Sequence, residues 1–263
     1  MAPAGTGPFG ILLDIDGVLH VGEKPIEGAH EALEQLRGLS AGLRLVTNTT
    51  SRSRRQVVER LIELGFAVTE EEVLTPAAMA LSYCRRRSYR SVALLVSDSL
   101  REDLAPLAAL AGTPSAQAVI LGDLGDEFTP ETLNGAFRLL MDGAELLALQ
   151  HNRYWRRADG LALDVGAYSA ALEYASGREA VVVGKPSAQF FHAAVADMGL
   201  EEAVMIGDDA EADVAGAMAA GLAGVLVRTG KYRDDAITRR VTPTAIVDSI
   251  VDVPNLLARM YSA

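Results

Sequence analysis

The chain has 263 residues, 49% of them hydrophobic and 22% charged, which is enough for one large domain or two smaller ones with a sizeable core. Its formal net charge of −11 argues against a nucleic-acid surface, because phosphate backbones are met by basic patches and the arginines here fall in short runs (Arg52, Arg54 and Arg55; Arg85 to Arg87; Arg156 and Arg157). The one cysteine, Cys84, excludes an intramolecular disulfide and a multi-cysteine zinc site.

Apolar β-branched runs alternate with helical patterns along most of the chain, which predicts an α/β protein with a mostly parallel sheet. Phe9 to Asp14 reads as the first strand. Ala29 to Leu39 reads as a helix, with Ala32, Leu33, Leu36 and Leu39 on one face. Leu43 to Val46 is the next strand. Ser51 or Ser53 then caps a helix that carries Val57, Val58, Leu61 and Leu64 and closes at Gly65. The alternation restarts with strands at Val92 to Val96 and Val119 to Leu121. A helix opens at Thr129-Pro130, a strand follows at Leu146 to Leu149, and another helix runs from about Ala167 to Tyr174.

The last set of elements begins with a strand at Val181 to Val183 and a helix opened by Gly184-Lys185-Pro186, carrying Phe190, Phe191, Ala194 and Met198. It continues with a strand at Val204 to Ile206, an alanine-rich helix from Ala212 to Ala220, and a strand at Val225 to Val227. No fixed-period repeat or low-complexity linker divides the chain. The expected organisation is a sheet domain over residues 1–76 and 181–263, interrupted by a second α/β module over 77–180.

Ligands of open parallel sheets bind at the carboxyl ends of the strands, and four strand ends carry polar groups. The first offers Asp14 and Asp16, which an extended strand would point to the same side. The second offers Thr47 and Asn48, the third Lys185, and the fourth Asp208 and Asp209 with Asp213 about a turn further on. Singly, each is an ordinary turn or cap. Jointly, carboxylates that would repel one another call for a cation, and magnesium suits oxygen ligands and phosphate substrates.

The chemistry this suggests is phosphoryl transfer, where catalysis is largely positioning plus positive charge. Asp14 fits a nucleophile, and Asp16 fits a general acid for the leaving oxygen and then a base for water. Lys185 adds a point charge, while Thr47 and Asn48 can donate hydrogen bonds to phosphate oxygens.

The set DIDGV, LVTN, VGKP and GDDAEAD resembles the four motifs of the haloacid dehalogenase superfamily, in order and spacing, over nearly the whole chain. The resemblance implies a Rossmann-like core with a parallel sheet and a magnesium-dependent phosphatase working through an aspartyl-phosphate. It implies Asp14 as nucleophile, Asp16 as acid/base, and Thr47, Asn48 and Lys185 at the phosphate. Magnesium would be held by the Asp14 carboxylate, the Asp16 backbone carbonyl and Asp208, with Asp209 or Asp213 in support. An aspartate at position 16 is the phosphatase pattern of that superfamily. The long insert between the threonine and lysine motifs resembles the class II, α/β-capped (C2) subfamily.

Two alternatives share these residues: a phosphotransferase or mutase using the same intermediate, and a non-catalytic module that keeps the fold. The expected partner is a small phosphorylated metabolite. The resemblance allows a homodimer paired through the cap and leaves the oligomeric state open. Where relatives carry a TN-x-D segment on the cap, this chain reads Gln150-His151-Asn152-Arg153-Tyr154, so His151, Arg153 and Tyr154 are either substrate contacts or packing. Neither a basic leader region nor an apolar stretch of membrane-spanning length is seen, and with the single cysteine this gives the cytoplasm as the expected location.

Overall fold

Gly10–Asp14 is buried at every position, as its run of Ile and Leu demands of a strand covered on both faces. In the computed structural model, which describes residues 8–108, 115–157, 160–233 and 241–261, it is an inner strand of a six-stranded parallel sheet. The order is Ala245–Val247, Ala223–Val227, Ala203–Gly207, Gly10–Asp14, Gly42–Val46, Val73–Leu74. The chain leaves Gly10–Asp14 for Gly42–Val46 on one side and later returns to Ala203–Gly207 on the other. The strand order therefore reverses at Asp14, which is where an open α/β sheet leaves a crevice.

One face of this sheet buries Ile11, Leu13, Leu45, Val204 and Ile206 against Leu33 and Leu36 of helix Ala29–Leu39 and Val253 and Leu257 of helix Val253–Tyr261. Chain contacts divide the protein into two compact units. One comprises Met1–Thr47, Val57–Leu74 and Pro186–Ala263, and the other Asn48–Gln56 and Thr75–Lys185.

The second unit has its own four-stranded parallel sheet, ordered Val181–Val182, Glu145–Ala148, Ala118–Leu121, Val92–Leu95. Helix Pro76–Arg86 contributes Ala77, Ala80, Tyr83 and Cys84 to one apolar cluster with Leu94, Ile120 and Leu147. Helices Pro130–Met141 and Val165–Ser176 contribute Leu140 and Leu172 to another, with Val119, Leu121 and Leu146. Odd and even positions of the strands thus feed opposite faces. The unit also holds an antiparallel hairpin, Tyr154–Arg157 with Gly160–Leu163.

Of the two serines offered as a helix cap, Ser53 takes the role. Its Oγ accepts from Gln56 N at 3.2 Å and its own N–H donates to Gln56 Oε1 at 3.1 Å, a reciprocal capping box. The strand read at Val181 to Val183 pairs with Glu145–Ala148 rather than within the six-stranded sheet. A two-residue apolar strand carries no mark of which sheet it will join. The helix expected over Ala212 to Ala220 is present, but it opens as a π-helix, Ala210–Ala215, before continuing as α-helix Gly216–Ala219, with Val214 N donating to Asp209 O at 3.3 Å across the wider turn.

Glu145 sits where helix Pro76–Arg86 ends: its carboxylate accepts from Tyr83 Oη (3.1 and 3.0 Å), Tyr89 Oη (2.6 Å) and an Arg87 guanidinium nitrogen (3.3 Å). Burial, helped by this neighbouring carboxylate, pushes the Cys84 thiol up to about 11. The thiol is therefore protonated at pH 8 and enclosed. Folded protein is expected to react with Ellman's reagent orders of magnitude more slowly than protein in guanidinium, which should release one equivalent of thiolate colour. Fast reaction of the native protein would show that the helix does not seal this thiol.

Candidate active site

Asp14 ends its strand 6% exposed, and the next strand of the sheet ends at Gly207, directly before Asp208, which is 1% exposed. The π-type turn then carries Asp213, also 1% exposed. One oxygen from each of Asp14, Asp208 and Asp213 lies within 4.8 Å of the other two. Three buried carboxylates this close repel unless a cation or proton is shared among them.

The surroundings are shaped around these groups. Asp208 Oδ2 accepts from the backbone N–H of Lys231 at 2.6 Å. Gly17 (φ +87°) and Gly230 (φ +62°) approach the same carboxylate so closely that a Cβ on either would stand 1.9 Å from Oδ2. Both glycines are therefore required by backbone sign and by space. Asp213 Oδ2 accepts from Asp209 N at 3.2 Å, which ties the turn to the strand end. A tightly held, all-carboxylate donor set of this kind suits a small hard cation such as magnesium, and these residues fit the metal that the sequence implies.

The two aspartates of the first strand end do not behave alike. The strand stops at Asp14, and the chain turns at once, with Gly17 N donating to His20 O (2.7 Å) and Leu19 N to Ile15 O (2.9 Å). Side-chain alternation therefore does not carry through to residue 16. The Asp16 side chain is 61% exposed, 3.7 Å from Nε2 of the buried His20, and it is not one of the three clustered carboxylates.

Asp209 and Asp213 likewise divide their roles. Asp209 Oδ1 caps the π-type turn, accepting from Glu211 N (3.0 Å) and Ala212 N (2.9 Å), while Asp213 supplies a carboxylate to the cluster itself. Thr47 follows the strand paired with Asp14 and is buried, its N–H donating to Leu74 O at 3.2 Å.

In the second unit, Asn48 and Lys185 meet across 137 residues of sequence. Asn48 Nδ2 donates to Lys185 O at 2.8 Å, and Lys185 N donates to Asn48 Oδ1 at 2.9 Å. This pair of hydrogen bonds fixes the main chain at the buried Lys185. His151 Nε2 lies 3.5 Å from Glu173 Oε2, whereas Arg153 and Tyr154 are exposed. Gln150 is engaged by Asp164 and by Asn152 N, so it serves the local fold.

Sequence reasoning passed over the loop after Ala223–Val227. Thr229 Oγ1 donates to Gly17 O, and the Lys231 ammonium lies 3.8 Å from Asp209 Oδ2. Desolvation works to lower the Lys231 pKa, but the charges of Asp14, Asp209, Asp208 and Asp213 together outweigh it and hold the ammonium above the ordinary lysine value. The rule that found the other strand ends would have found Thr229-Gly230-Lys231 as well, since it directly follows a buried strand.

Two family models match the chain: one described as haloacid dehalogenase-like hydrolase, over residues 11–108, and one described as HAD-hydrolase-like, over residues 182–253. The chain is 45% identical over 225 residues to haloacid dehalogenase-like hydrolase domain-containing protein 2 of Homo sapiens, covering 85% of each. It is 38% identical over 269 residues to the phospholysine phosphohistidine inorganic pyrophosphate phosphatase of Homo sapiens, covering 98% of each. Among solved structures it matches a glycerol phosphate phosphatase from Mycobacterium tuberculosis in complex with magnesium, with a TM-score of 0.81 and 30% identity over 92% of this chain and 75% of that one. With its parallel α/β sheet and its strand-end aspartates, this chain belongs to the haloacid dehalogenase-like hydrolase family.

Proposed function

We propose that the protein is a magnesium-dependent phosphatase that hydrolyses a small phosphorylated metabolite through an aspartyl-phosphate on Asp14. The observation that carries this reading is the convergence of Asp14, Asp208 and Asp213, all buried, within 4.8 Å. In this proposal residues 1–76 and 181–263 form the catalytic core and residues 77–180 its inserted C2-type cap. Asp14 and Asp208, with the Asp16 backbone carbonyl and Asp213, would hold magnesium. When bound, the ion supplies positive charge to the phosphoryl oxygens.

An oxygen of the Asp14 carboxylate attacks phosphorus, and the bond from phosphorus to the leaving oxygen breaks. That oxygen takes the proton of the Asp16 carboxylic acid. Water then attacks the phosphorus of the aspartyl-phosphate, giving its proton to the Asp16 carboxylate, and phosphate leaves as Asp14 is regenerated. The exposure of Asp16 supports this role, because an acid that serves both a leaving group and a water must reach each of them. Thr47, Asn48 and Lys185 are assigned to the phosphoryl group on the motif match, as donors and as a point charge. Asp209 takes a supporting place as the cap of the turn that carries Asp213. A single buried cysteine accords with a reducing, cytoplasmic setting.

The test is phosphate release from a broad panel that includes p-nitrophenyl phosphate, pyrophosphate and phosphoramidates, run with magnesium and again with EDTA. Release is expected with magnesium and its loss with chelator. Magnesium at about 100 times its dissociation constant is also expected to add about 2.7 kcal/mol to the stability of the folded state. A panel without turnover and a melting temperature indifferent to millimolar magnesium would remove the proposal.

A further inference from the structure

The loop after Ala223–Val227 is fitted to the anionic centre by its main chain and brings a cation to it by its side chain. Thr229 holds Gly17, Gly230 packs beneath Asp208, and the Lys231 N–H donates to Asp208 Oδ2. These contacts anchor the backbone, and the lysine side chain is 63% exposed. Its pairing with Asp209 at 3.8 Å is by itself an ordinary surface contact of small value. What sets Lys231 apart is its place: its own N–H donates to the clustered Asp208 carboxylate at 2.6 Å, and its ammonium stands 3.8 Å from the carboxylate of Asp209, the residue directly after Asp208.

We propose that Lys231 is a built-in counter-ion of the Asp14, Asp208 and Asp213 pocket, whose fixed positive charge weakens magnesium binding there and keeps the metal exchangeable. This rests on reading the pocket as a magnesium site. A neighbouring cation offsets part of the repulsion among the carboxylates when the pocket is free of metal. It opposes a second cation that enters, with a strength that falls as salt rises. Lys231 is a positioning residue in this scheme, acting on the electrostatics of the carboxylates and forming no bond in the reaction.

A charge series tests it by calorimetric titration of the metal-free protein with magnesium alone, at low and at high sodium chloride. Lys231→Arg should bind magnesium as the unaltered protein does. Lys231→Gln should bind roughly two- to fivefold more tightly, and Lys231→Glu more tightly again by a similar factor, with the differences shrinking at high salt. A merely structural role would loosen binding in all three variants without regard to charge or salt. Equal constants across the series, or weaker binding in the Gln and Glu variants, would overturn the proposal. An unaltered protein that takes up no magnesium removes the magnesium site and this inference together, whereas binding with a flat series removes only Lys231.

Discussion

Asp14→Asn is expected to lower turnover of p-nitrophenyl phosphate by on the order of 10⁴-fold or more while the fold persists. The amide has nearly the shape of the carboxylate, so the buried end of Gly10–Asp14 is still filled. Its oxygen is neutral and a poor nucleophile, and the aspartyl-phosphate cannot form on it. The stability of the metal-free protein should hold or rise, because one of three mutually repelling buried charges is gone. Magnesium binding should weaken for the same reason. Steady-state kinetics, circular dichroism and thermal unfolding in EDTA check the three parts. Turnover close to that of the unaltered protein would end the assignment of Asp14 as nucleophile.

Gly230→Ala has the second large expected effect, on stability and on the metal pocket together. The added methyl would stand 1.9 Å from Asp208 Oδ2 and 2.6 Å from the Gly17 Cα, at a φ of +62°. The left-handed backbone costs a non-glycine residue about 1–2 kcal/mol, and forced overpacking costs roughly 1–3 kcal/mol more. A loss of roughly 2–5 kcal/mol in guanidinium unfolding is expected, with weaker magnesium binding as Asp208 is displaced. Gly135→Ala is the control, since it lies within helix Pro130–Met141 with nothing within 4 Å of an added Cβ. The same chemical change there should stabilise by roughly 0.5–1 kcal/mol. Equal effects at the two positions would show that crowding at Asp208 is not what fixes residue 230 as glycine.

The elements with a long periodic signal were the most legible ones. Helix Ala29–Leu39 has the expected bounds, and Thr129-Pro130 begins a helix as its capping chemistry requires. The elements that escaped notice include two full helices, Pro76–Arg86 and Val253–Tyr261, and several that are short or at edges. Val73–Leu74 and Ala245–Val247 close the two edges of the six-stranded sheet with two and three residues, too few to show a period. The hairpins His20–Val21 with Lys24–Pro25 and Tyr154–Arg157 with Gly160–Leu163 exist through cross-strand pairing, which local composition does not record.

The sequence by itself determined which strand ends carry carboxylates, because a buried apolar run that stops at an aspartate is a local pattern: Asp14 and Asp208 follow from it. Only the tertiary structure decided how those acidic groups divide their work. Asp209 caps the turn by accepting from Glu211 N and Ala212 N, while Asp213, four residues on, turns its carboxylate back toward the strand end and joins the cluster. Asp16 leaves the cluster because its strand ends two residues earlier. Lys231 reaches the centre because Ala223–Val227 lies beside Ala203–Gly207 in the sheet, an adjacency written in hydrogen bonds between distant segments and in no single stretch of chain.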